Sequence, residues 1–238
     1  MDRHQEILEL LETVRIDISE ISEAYDKARR DEDLAVILRP KIKSCLENLR
    51  SCLEYSAQDI WRSYTKKKNS VYFPYGKTEH LFQCSVKKNL PALQARAPKI
   101  YELILSLQPF AGGGEWLGNL CKYTNFNKHN GLSPQVRKNS TLSTTSFGSM
   151  IRAEGAVTVV MKGCTYNGIP ISKSGALTIS PDKRVSEISE DINIPVSITR
   201  EFDWVRFELD DSITDVRELI IESYSRVSDY VSDLSKII

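Results

Sequence analysis

KYTNFNKHNGLSPQVRKNSTLSTTS, residues 122 to 146, is where one texture of sequence gives way to another. Before it, apolar residues recur every three or four positions, the period of a helix buried along one face. After it come short β-branched runs broken by glycine and proline, the pattern of strands and turns. Asn130 and Gly131 suit the end of a helix, and the Ser/Thr-rich run from Ser133 to Ser146 reads as a connector between the two halves.

Upstream, Ile7, Leu11, Val14, Ile18, Ile21, Tyr25 and Ala28 form a narrow seam on one long helix. A second seam runs through Ile42, Cys45 or Leu46, Leu49, Leu53, Ala57 and Ile60, with Pro40 near its start. Two long seams joined by a short link predict an antiparallel helical hairpin. VYFPYG is then extended, because a residue before proline avoids the helical region. Thr78 is placed to cap a third helix to about residue 88, Pro98 to start a fourth, and EWLGNLCKYTNF to form a fifth.

Downstream, AVTVVMKG, CTYNGIPIS, GALTIS, INIPVSI and DWVRFEL predict a small antiparallel sheet of four to six strands, with Asn167-Gly168 as a hairpin turn. Val216, Ile220, Tyr224, Val227, Val231, Leu234 and Ile238 make a final amphipathic helix, with Asp211, Ser212 or Thr214 as its cap. Such a helix needs a partner for its apolar face. The expected class is therefore α+β: an antiparallel helical bundle (1–135), a small antiparallel β-sheet inserted at 140–210, and a terminal helix (212–238) that packs back on the bundle.

With 238 residues, 41% of them hydrophobic, the chain is long enough for a sizeable core. Thirty-two basic residues balance thirty-two acidic ones, so no global field draws it to nucleic acid or to an anionic membrane. The charged N-terminus does not read as a signal peptide, and no stretch approaches the roughly 18 apolar residues of a membrane span. Five cysteines without paired spacing predict reduced thiols in a cytoplasmic protein. His4, His80 and His129 lie in unrelated segments, so neither a metal site nor a cofactor is expected.

Asn125, Asn127, Lys128 and His129, at the end of the fifth helix, form the one constellation with chemistry in it. A neutral imidazole can take the proton of a ribose 2′-hydroxyl while a lysine stabilises the charged phosphorane and an amide orients the sugar. That would be metal-free RNA cleavage. The plain alternative is a helix end, where lysine and histidine complement the negative pole of the dipole. Arg62, Lys66, Lys67 and Lys68, followed by Lys87 and Lys88, are candidates to track an RNA backbone, or simply solvated faces. Arg50 with Glu54 is either a surface pair or a polar group turned into the bundle.

LENLRSCLEYSAQDIW, YFPYG, LQPF and EWLGNLCKYTNFNKHN, in that order across residues 46–132, resemble a group of mostly uncharacterised bacterial proteins. Their marks run approximately LRSALDxL, FPI, QPY and LxxLxNxDKHR, and the group is similar to HEPN-like helical domains. The resemblance implies a role in bacterial defence or stress, a homodimer or a partner protein, and metal-independent ribonuclease activity. His129 would then be the general acid and base, Lys128 or Lys122 the electrostatic partner, Asn125 the orienting group and Arg50 a contributor across the bundle. The usual arginine, separated from the histidine by four to six residues, is absent here; Lys122, seven before His129, is the basic residue at that spacing. The rival reading is a non-catalytic interaction or dimerisation module in which Asn-Lys-His is structural.

Overall fold

A computed structural model describes residues 1–66, 70–209 and 213–238 and bears out the α+β class, with eight α-helices and nine β-strands among the described residues. The chain forms two compact units. One comprises residues 1–21, 38–134 and 212–238, and the other residues 22–37 and 135–211.

The helical unit contains the first part of α1 (His4–Arg30), then α2 (Arg39–Tyr64), α3 (Glu79–Asn89), a single turn α4 (Leu93–Arg96), α5 (Pro98–Ser106) and α6 (Trp116–His129). It closes with the last helix of the chain (Val216–Ser235), which packs on α2, α5 and α6. The local signals act as expected. Pro40 and Pro98 sit in first turns, where a missing N–H costs nothing, and Thr78 Oγ1 accepts from Leu81 N at 3.4 Å. The α1 seam is buried at Ile7, Leu11, Val14, Ile21, Tyr25 and Ala28, while Ile18 is half-buried. Its neighbour Asp17 is buried instead, held by Lys41 Nζ at 2.6 Å, with the Cys45 thiol 3.6 Å away. The cap of the last helix also differs from expectation. Asp215 supplies it, accepting from Arg217 N at 3.0 Å and Glu218 N at 3.1 Å, while Asp211 and Ser212 lie outside the described residues.

In the second unit the sheet is not continuous. β1 (Gln135–Asn139), β2 (Ser143–Phe147), β3 (Ile151–Glu154), β4 (Val159–Lys162), β5 (Thr165–Tyr166), β6 (Ile169–Pro170) and β7 (Ala176–Ile179) precede a short helix α7 (Val185–Asp191). β8 (Ile198–Phe202) and β9 (Val205–Leu209) follow, and the helix at Val216–Ser235 is α8. These strands make four small antiparallel sheets, β1–β9, β3–β2–β8, β4–β7 and β5–β6, in place of a single sheet. The Asn167-Gly168 turn joins β5 to β6 with φ of 50° and 79°, the left-handed pair a tight hairpin requires.

Two stretches depart from the sequence reading. The supposed connector is β1 and β2, because its polar residues find partners: Ser143, Thr145 and Phe147 are buried, and Thr145 Oγ1 accepts from Arg200 Nε at 3.0 Å. INIPVSI is mostly not strand, since Pro195 lacks a donor and β8 begins only at Ile198. A core of Phe147, Ile171, Leu177, Ile179, Ile188 and Ile198 fills this unit, and Tyr25 meets Phe207 edge to face at 5.2 Å.

Candidate functional site

At about 100° per residue, positions 122, 125 and 129 share one face of α6, and Lys122, Asn125 and His129 are all exposed there. Lys128 is exposed too, a quarter turn or so away. Lys128 and His129 occupy the last turn, where positive charge complements the helix dipole. Lys122 Nζ lies 4.8 Å from the centre of the Tyr123 ring and 3.5 Å from its Oη.

Asn127 points the other way. Its Oδ1 is buried and accepts from Ser133 N at 2.9 Å and Ser133 Oγ at 2.8 Å, clamping the chain as it leaves the helix. Arg39, in the first turn of α2, grips the same segment through Leu132 O at 2.6 Å and Ser133 O at 3.2 Å. Within Asn-Lys-His, then, the asparagine is the internal member and the other two are solvated.

Arg50 is not brought to His129. Its Nη2 pairs with Glu54 Oε1 at 2.5 Å and its Nη1 reaches Cys121 Sγ at 2.6 Å. Cys121 precedes His129 by eight residues, about 12 Å along α6 at ~1.5 Å each. The guanidinium is four-fifths buried and already neutralised by a carboxylate, which leaves it unsuited to a phosphorane at the helix end.

What Arg50 belongs to is a polar junction assembled from all four of the ordered stretches. Glu54 Oε2 accepts from Phe73 N at 2.6 Å, tying FPYG to α2. Gln108, wholly buried, accepts from Gly76 N through Oε1 at 3.1 Å and donates to Pro74 O at 3.3 Å and Ile104 O at 3.0 Å. Gly118 lets Tyr75 in: a Cβ there would lie 2.9 Å from the tyrosine hydroxyl. Burial pushes the Cys121 thiol up, against the pull of Arg50, so it remains protonated rather than nucleophilic. Burial likewise raises Tyr75, with Cys121 and Glu115 adding to the effect. Chemically the junction is a set of fastenings. The sequence reading paired Glu54 with Arg50 but missed its tie to Phe73 and the roles of Tyr75, Gln108 and Cys121, although the order of the stretches already grouped their neighbourhoods.

The basic set is dispersed. Arg62, exposed near the end of α2, lies 3.7 Å from Asp2, and Lys66 is exposed just beyond the helix. Lys67 and Lys68 lie outside the described residues. Lys87 and Lys88 end α3, exposed, and Lys87 borders a hollow of about 480 Å³ beside α4. Arg96 Nη1 donates to Tyr64 O at 3.0 Å, which fastens α4 to the end of α2. His80 and Cys84, four apart on α3, face each other at 3.9 Å, a pair that the histidines read alone pass over. Among the described residues no three His, Cys, Asp or Glu side chains form a metal-binding group, and no helix is long and apolar enough to cross a membrane.

The chain was compared with protein-family models, curated proteins and solved structures, and none of the three comparisons returned a match.

Proposed function

We propose that the protein is a non-catalytic interaction module, not a ribonuclease. The observation that supports this reading is the direction of the inward side chains in the ordered stretches. Arg50, Glu54, Gln108, Gly118 and Asn127 serve internal contacts, and none of them meets His129. A catalytic imidazole needs an electrostatic partner within a few ångströms of the same phosphate. The five free cysteines support a reducing compartment such as the cytoplasm, and a defence or stress setting rests on the resemblance alone.

A second reading keeps one favourable observation. Lys122, Asn125 and His129 share an exposed helix face, so an RNA strand could reach all three without displacing an internal contact. Wild type and His129→Ala, incubated with mixed RNA in EDTA, separate the two. The module reading expects intact RNA with both proteins. Cleavage by wild type that is lost in a variant of equal thermal stability would establish the ribonuclease instead.

A further inference from the structure

Building on the module reading, we propose that the groove between α1 and α8 receives a basic amphipathic helix from a partner protein. The groove has a volume of about 860 Å³ and is bordered by residues 4–13 of α1 and 224–235 of α8. At ~1.5 Å per residue those borders run about 15 and 18 Å, the length of roughly three helical turns. Leu8, Leu11, Tyr224 and Val231 provide its apolar surface, and Leu8 is 42% exposed. Two helical ridges with a trough of this length are what a third helix packs into, with anchors spaced three and four apart.

Three further features define the occupant. Glu9 and Glu12 are the charged side chains lining the groove, and no lysine or arginine is among those lining residues. Arg15 bonds Glu12 at 2.7 Å, whereas among the described residues Glu9 is met by the neutral amide of Gln5 at 3.3 Å, which leaves Glu9 as the carboxylate open to a cation. A helix flanked by lysine or arginine complements that rim, and an acidic one is repelled. Ser228, Ser232 and Ser235 line the α8 wall, small side chains that permit close approach of another helix backbone. His4 Nδ1 and Ser228 Oγ, on residues that line the groove, are shielded from solvent and have no hydrogen-bond partner among the described residues, so at that point the groove presents apolar atoms to an incoming helix.

The test uses the full chain and fluorescein-labelled synthetic peptides of about 18 residues, longer than the groove at ~1.5 Å per residue. One is an amphipathic Leu/Lys helix, one the same pattern in Leu/Glu, and one a Leu/Lys scramble without an apolar face. Anisotropy should show micromolar binding of the first alone. Glu9→Lys with Glu12→Lys should weaken it at least tenfold, and Glu187→Lys with Glu190→Lys, in the other unit, should leave it unchanged. Equal binding of the scramble or the Leu/Glu helix, equal loss in both charge variants, or no binding would each overturn the proposal. So would a homodimer, seen by light scattering, that Glu9→Lys with Glu12→Lys dissociates. None of these results touches the module reading, which fails only if wild type cleaves RNA in EDTA.

Discussion

The two units each bury arginine, but they use it differently. In the helical unit Arg50 meets side chains, a carboxylate and a thiol, because helices satisfy their own backbone, and Arg39 and Arg96 find carbonyls only where α6 and α2 end. In the β unit Arg137 and Arg200 meet mainly backbone carbonyls. Arg137 donates to Ala28 O at 2.8 Å, Asp31 O at 2.6 Å and Leu34 O at 2.8 Å, closing the orphaned end of α1. Arg200, 5% exposed, donates to Lys183 O at 2.7 Å and Ser180 O at 2.8 Å as well as to Thr145, with Glu32 3.6 Å away. Four small sheets leave loop carbonyls facing inward, and a five-donor guanidinium can collect several at once. A helical bundle is held by its seams, whereas short strands are held by such hubs.

The largest effect should follow from breaking a hub. Arg200→Ala leaves the Lys183 and Ser180 carbonyls without their donor and the Glu32 carboxylate without its facing charge, a loss of about 3–5 kcal/mol. Amide exchange in β2 and β8 should become fast. Arg137→Lys should cost about 1–3 kcal/mol, since one ammonium cannot reproduce the fork, and protection at the end of α1 should fall. Both hubs are expected to be more sensitive to a conservative Arg→Lys change than Arg50, which makes fewer bonds.

Alkaline pH should act selectively on the helical unit. Burial pushes the Cys45 and Cys52 thiols up to about 12. In the unfolded chain they would release their protons near the ordinary thiol value of about 8.5, so the unfolded state binds fewer protons above that pH. Their contribution is fully present below about pH 8.5 and declines as pH rises towards 12. Thermal midpoints by circular dichroism should fall across that window, and Cys45→Ala with Cys52→Ala should flatten the decline. At pH 8 a thiol reagent should modify Cys84 and Cys164 in the folded protein and spare Cys45, Cys52 and Cys121.

Much of the helical unit, and one hairpin of the other, was legible because the signals are local. The α1 seam, the Thr78 cap, Pro98 and the Asn167-Gly168 turn each depend on residues within a few positions. The connector strands were not, because Thr145 is accommodated in the interior by an arginine 55 positions later. Nor was the cap of α1, whose donor lies more than 100 positions away. The candidate site was half legible. Helical spacing places Lys122, Asn125 and His129 together and pairs Arg50 with Glu54, but only the fold brings Cys121 to Arg50 from 71 positions away.

The central claim, that the ordered stretches build the fold and not a reaction, is tested most directly by comparing the unfolding free energies of Gln108→Ala and His129→Ala. Gln108→Ala strips partners from Gly76 N and Pro74 O and should cost about 2–4 kcal/mol, while the exposed His129 should change stability by about 0.5 kcal/mol or less. A Gln108→Ala protein as stable as wild type, with no larger loss than His129→Ala, would contradict the account.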